Sequence, residues 1–130
     1  MDYPLRDHEA VRPPSLKQIL HEMNRAGNFD ISVLTSTEGL PIATAPTGYD
    51  STLTAATVAL LQRASNDTQR QLGATDVDEV TICDHDRTRL VCRYLPVGER
   101  KLILAIKVPP GCSYRRITNQ ALRRIRRLLS

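Results

Sequence analysis

KLILAIKV, residues 101–108, carries five apolar side chains in succession, Leu102 to Ile106. Successive side chains of an extended chain point to opposite faces, so this strand is apolar on both. Such a strand belongs at the centre of a sheet covered on both sides. Pro109-Pro110-Gly111 ends it. A second stretch, TSTEGLPIATA at residues 35–45, marks the rim. It reads as the turn and return strand of a hairpin that starts near residue 30, with Gly39 supplying the positive φ of a tight connection. Pro41 has no N–H to give to a ladder, which places its strand on an edge.

The other elements follow outward from these two. Ser15-Leu16-Lys17-Gln18 matches a capping box, Leu16, Ile19, Leu20 and Met23 form one helical stripe, and Gly27 stops that helix. The hairpin occupies about residues 30–36 and 40–45. Pro46, Gly48 and Asp50 make a loop into a second helix, about residues 51–72, closed by Gly73. Strands are predicted at 79–83, 90–95 and 101–108, and a last helix at 114–129. Residues 1–14 mix charges with Pro4, Pro13 and Pro14 and have no period, so they are expected to form a flexible arm before one domain at 15–130. The order is α-β-β-α-β-β-β-α, without repeats, and helices must cover both faces of the sheet.

On the wheel of the second helix, Leu53, Thr57, Leu60, Leu61, Ala64 and Thr68 share one side, taken as the core side. The opposite side holds Ala55, Val58, Ala59, Gln62, Asn66 and Gln69. That expected outer face is small and uncharged in its first half, which is unusual for a solvated helix.

The chain has 130 residues, 41% hydrophobic and 25% charged, enough for one domain with a true core. Aromatics are only 4%, so the core must be aliphatic. No apolar run reaches the length of a membrane span and no signal peptide is visible. Cys83, Cys92 and Cys112 show no metal-site spacing, and a reduced, cytoplasmic protein is the expectation. Six of the 18 basic residues and none of the 14 acids fall in residues 114–130, so the basic character of the chain is concentrated in one helix.

No phosphate-binding glycine loop of either common type is present, which argues against a nucleotide-binding enzyme. Cys83, His85 and Cys92 with Asp84 and Asp86 could be imagined as a metal site. A symmetric 84–89 loop would instead set Cys83 and Cys92 opposite one another as small buried core residues, and that reading is preferred. His8 and His21 stand alone. No catalytic, cofactor or metal residue is expected. In the last helix Ile117, Ala121, Leu122, Ile125, Leu128 and Leu129 fill one arc. Arg115, Arg116, Arg123, Arg124, Arg126 and Arg127 fill the other, a candidate electrostatic patch.

The element order, with VLTSTEGLPIAT at 33–44, the Ala-rich LTAATVALLQRA at 53–64 and KLILAIKVPPGCSYRRI at 101–117, resembles the roadblock family of dynein-light-chain-like proteins. The prokaryotic single-domain type that regulates GTPases is the nearest in form. The resemblance implies an α+β fold with a five-stranded antiparallel sheet in the order 2-1-5-4-3, in agreement with the two strand placements above. It also implies a homodimer. The third strand would pair with its copy through Val80, Thr81, Ile82 and Cys83, an edge without proline, and the second helices would pack side by side through Ala55 and Ala59.

A small Ras-like GTPase is the implied partner, bound or scaffolded without chemistry by this chain. Val58, Gln62, Arg63, Asn66, Gln69 and Arg70 of the second helix are the candidate contacts. The rival reading is a nucleic-acid-binding dimer that uses the arginine helix. It is disfavoured because stacking aromatics and a recognition motif are lacking.

Overall fold

Eight elements follow in the expected order: α1 (Leu16–Gly27), β1 (Ile31–Ser36), β2 (Pro41–Ala45), α2 (Thr52–Leu72), β3 (Glu79–Cys83), β4 (Arg89–Val97), β5 (Arg100–Val108) and α3 (Arg115–Leu129). The computed structural model describes residues 14–48, 50–73 and 77–130. The arm expected at residues 1–14 lies outside them except for Pro14. The strands form one antiparallel sheet in the order β2-β1-β5-β4-β3, the order the resemblance implied.

β5 is central, and its alternation divides the core. Leu102, Leu104, Ile106 and Val108 point to one face and join Val91, Leu95, Leu34 and Ala45 beneath α1 and α3, whose Ile19, Leu20, Met23, Ala121, Leu122 and Ile125 close that core. Ile103 and Ala105 point to the other face and join Cys92, Tyr94 and Val58 beneath α2. The helices therefore lie on both faces, two on one side and one on the other. The single helix leaves its side thinly covered.

Local signals explain the boundaries. Ser15 Oγ accepts from the Gln18 amide at 3.1 Å and caps α1. Gly27 is the last helical residue, and the left-handed cap is Asn28 at φ 59°. Glycine is needed at 27 for space, since a Cβ there would stand 2.3 Å from the Phe29 ring. Pro41 sits on β2, at the end of the sheet, paired to Thr35 across a register shift.

β4 and β5 run longer than the sequence pattern suggests. They are joined by Gly98-Glu99, with Gly98 at φ 61°, and Pro96 lies within β4 opposite Lys101. Proline is tolerated there because β3 pairs only with Arg89 to Arg93, so no strand faces the other side of Pro96 among the described residues.

The β3–β4 register corrects one expectation. Cys83 pairs with Arg89 and Cys92 with Val80, so the two cysteines are not opposite one another. The turn spans five residues, 84–88, with Arg87 at φ 74° and the Thr88 amide donating to Asp84 Oδ1 at 3.0 Å. A symmetric 84–89 loop would pair Cys83 with Leu90, and the five-residue turn pairs it with Arg89, three residues from Cys92. Positions 83 and 92 also differ in parity, so the side chains point to opposite faces of the sheet.

Candidate functional site

The expected site residues lie on β3, α2 and α3. β3 ends the sheet, and only β4 pairs with it among the described residues. Two flanking bonds set its polarity: the Tyr94 amide donates to the Asp78 carbonyl at 3.3 Å, and the Asp84 amide to the Thr88 carbonyl at 2.9 Å. Antiparallel ladders alternate. Hence Val80 and Ile82 direct their backbone groups at β4, while Glu79, Thr81 and Cys83 direct theirs outward. The Val80 amide, expected at the free edge, is part of the internal ladder. Ile82 reaches the rim with its side chain, 44% exposed on the α2 side.

α2 is turned over relative to the sequence expectation. Ala55 and Val58 are fully buried and Gln62 and Ser65 nearly so. Leu60 is 63% exposed, and Ala56, Arg63, Ala64 and Asp67 share its outward side. Close approach of the backbone is the physical reason. A Cβ at Gly39 would stand 3.1 Å from both the Ala55 carbonyl oxygen and Ala59 Cβ, while the sheet beneath presents Ile103 and Tyr94. Where α2 passes that turn, at Ala55 and Ala59, only small residues fit, and Leu60 lies on the outward side.

Three residues expected on the outer face therefore point into their own subunit: Ala55, Val58 and Gln62. Gln62 Nε2 donates to Asn66 Oδ1 at 3.3 Å, and its Oε1 finds no donor among the described residues. Ala59 stands on the flank that meets the β1–β2 turn, away from β3. The flank toward β3 carries Thr57 and Leu61, and Leu61, like Val77, Val80 and Leu90, packs against the cluster beneath α2. Between that flank and the sheet lies a groove of about 370 Å³, lined by Thr54, Thr57, Ile82, Leu90 and Lys107 among others. Arg63, Asn66 and Arg70 are exposed and Gln69 is half-buried. Arg70 is paired with Asp67 one turn earlier.

α3 buries Thr118, Ala121, Leu122 and Ile125 and turns its arginines away from the sheet. Two are engaged. Arg124 meets Glu22 of α1 at 2.6 Å, and this bond, with the guanidinium charge, holds the Glu22 carboxyl below its usual range. Arg115 meets Glu79 at 3.1 Å and Asp78 at 3.8 Å. Arg116, Arg123, Arg126 and Arg127 have no acidic partner among the described residues.

One polar cluster escaped the sequence reading. Arg93 is 6% exposed beneath α3, and its Nη1 donates to Thr118 Oγ1 at 2.7 Å and to Asn119 Oδ1 at 2.6 Å. Its Nε lies 3.8 Å from Glu79 Oε1. Glu79 also accepts from the Tyr114 hydroxyl at 2.6 Å and the Thr81 hydroxyl at 2.8 Å. Burial, then the Glu79 carboxylate, pushes the Tyr114 phenol above its ordinary range. The available signal was an arginine inside the apolar run Leu90 to Leu95. The cluster ties the edge strand β3 to the start of α3.

Cys83 and Cys92 lie on opposite faces of the sheet and cannot share a metal. No group of three His, Cys, Asp or Glu among the described residues is placed to hold one. Nor is any described helix long and apolar enough to cross a membrane.

A family model described as the Roadblock/LC7 domain matches residues 16–93. The chain belongs to the Roadblock/LC7 family. The matched span runs from α1 into β4, and solved structures extend the likeness to most of the chain. MglB of Myxococcus xanthus superposes with a TM-score of 0.74 at 16% identity, covering 87% of this chain and 93% of that one. A Roadblock/LC7 domain from Streptomyces avermitilis gives 0.70 at 17% identity, covering 89% and 98%. The gliding protein MglB of Thermus thermophilus gives 0.66 at 14% identity, covering 92% and 98%. At such identities these matches establish the roadblock fold. A sequence search among curated proteins finds no match.

Proposed function

We propose that this roadblock protein is a homodimeric adaptor that binds a small Ras-like GTPase and has no active-site chemistry of its own. The observation that carries the reading is the inverted packing of α2. Its inward side carries Ala55, Val58, Gln62 and Ser65, and Leu60 faces outward at 63% exposure. Burying a leucine side chain fully contributes about 1.5–3 kcal/mol, which the isolated subunit forgoes at this position. A surface of modest apolar character with a polar rim suits a protein partner. Arg63, Asn66 and Arg70 supply the rim, and Gln69 lies on the flank.

The dimer in this reading forms along β3. Its outward backbone groups at Glu79, Thr81 and Cys83 make an unblocked edge, and such an edge is a liability unless it is paired. Exposed Ile82 and Leu72 and half-buried Leu61 lie on the β3 side of α2 and support pairing across that edge. The second helices would then meet on the flank carrying Leu61, not through Ala55 or Ala59. Family membership supports both halves of the proposal, since the resemblance drawn from the sequence implies a dimeric platform for GTPases.

The test uses light scattering during size exclusion, then binding to a purified Ras-like GTPase, loaded with GDP or a non-hydrolysable GTP analogue. A dimer that binds the GTPase, and a Leu60→Glu variant that remains dimeric but no longer binds, are the expected results. A monomer, or a Leu60→Glu dimer with unchanged affinity, would overturn the assignment.

A further inference from the structure

We infer that the face built by α1 and α3, on the side of the sheet away from α2, is a second docking surface, and that its partner is an acidic, leucine-bearing protein segment. Charge is the first observation. Arg115 and Arg124 are neutralised by Asp78, Glu79 and Glu22, whereas Arg116, Arg123, Arg126 and Arg127 have no acid within reach among the described residues. Arg116, Arg123 and Arg127 lie at helical spacing on one line, which extends over about 16 Å of helix. α3 contains no acid to offset them.

The second observation is a hollow of about 370 Å³ where the C-terminal turns of α3 meet the start of α1. Pro14 and Leu128 line it with apolar surface, and Arg124 and Arg127 line it as well. With Arg124 held by Glu22, the apolar recess bordered by the Arg127 guanidinium fits an aliphatic side chain next to a carboxylate. Guanidinium groups bind carboxylates bidentately, in a geometry that an ammonium cannot reproduce. A nucleic acid would use the charges but leave the recess empty, and the half-buried Tyr114 ring at the start of α3 is already engaged by Arg89 and Glu79.

The surface is separate from the one proposed for the GTPase, so the experiment stands apart from that reading. The probe is a short fluorescein-labelled peptide of aspartates and glutamates with two leucines, titrated into the full chain at physiological salt. An oligoglutamate of equal charge and a single-stranded oligothymidylate are run alongside. The leucine-bearing peptide is expected to bind tighter than either control. Arg123→Gln with Arg127→Gln should weaken it by at least about tenfold through lost charge-assisted bonds, and Arg127→Lys alone should also weaken it. Both positions are exposed, so circular dichroism and light scattering should match the parent; Arg116→Gln with Arg123→Gln provides a second variant along the same line. No binding, equal binding of all three probes, or an affinity unchanged by these substitutions would overturn the proposal.

Discussion

The Tyr94 amide donates to the Asp78 carbonyl, and that bond decides which amides of β3 remain for another chain. It puts Val80 and Ile82 on the inner ladder and Thr81 at the middle of the outer one. Thr81→Pro removes an outward donor and should shift the dimer toward monomer while the subunit stays folded. Val80→Pro removes an inner bond and should lower stability before it changes association. Light scattering and thermal melting, measured on both variants, separate the two effects. A Thr81→Pro protein as fully dimeric as the parent would show that this edge is not the contact.

Gly39 holds φ 92° and stands against the Ala55 carbonyl and Ala59. Gly39→Ala adds a Cβ in a conformation unfavourable to L-residues and narrows an already close contact. The expected loss is about 1–2 kcal/mol from the backbone alone, read from denaturant unfolding. Gly48→Ala, where a Cβ would meet nothing within 4 Å, should carry only the cost of its positive φ and be the milder change.

The Arg93 cluster should behave as a unit. Arg93→Ala leaves Thr118 and Asn119 without their buried donor and removes packing under α3. A loss of about 2–4 kcal/mol is expected, somewhat below the range for breaking a fully buried pair because Glu79 keeps contact with solvent. Arg115→Ala, on an exposed pair with the same glutamate, should cost no more than about 1 kcal/mol. Comparing the two by chemical denaturation tests whether burial sets the difference.

Burial pushes the Cys92 thiol from its ordinary value of 9.0 up to about 12. The unfolded chain then releases this proton at lower pH than the folded chain does. The contribution to stability is fully present below pH 9 and is lost as pH rises from about 9 toward 12, at no more than about 1.4 kcal/mol per pH unit. Cys92→Ala should flatten that decline in alkaline unfolding curves. In the native protein a thiol reagent should modify exposed Cys83 before half-buried Cys112 and reach Cys92 only on unfolding.

Strand order was legible because two features speak directly about neighbours: five apolar side chains in a row at Leu102 to Ile106 require cover on both faces, and Pro41 has no N–H to donate, which suits an edge strand. The α3 arc was equally plain, since leucine and arginine leave no doubt about which side is wet. α2 was misread because neither of its sides is plainly apolar: Gln62 and Ser65 are buried while Leu60 is exposed. A wheel that ranks residues by hydrophobicity sends Leu60 inward, but the approach of the Gly39 turn admits only Ala55 and its small neighbours. The cysteine register failed for a similar reason. It depended on one left-handed residue, Arg87, where the sequence offers no glycine to announce it. Arg93 was missed because its partners Thr118 and Asn119 are distant in sequence.

The division of the sheet into a one-helix face and a two-helix face has a consequence for assembly. Pairing two copies along β3 about a twofold axis would continue a single sheet, so each face would keep its identity across the joint. Both α2 helices would then look one way and both arginine lines the other. Such a particle could hold two different ligands at once without competition, each met by a duplicated site. A bivalent acidic ligand spanning both arginine lines would gain effective concentration from the pairing alone.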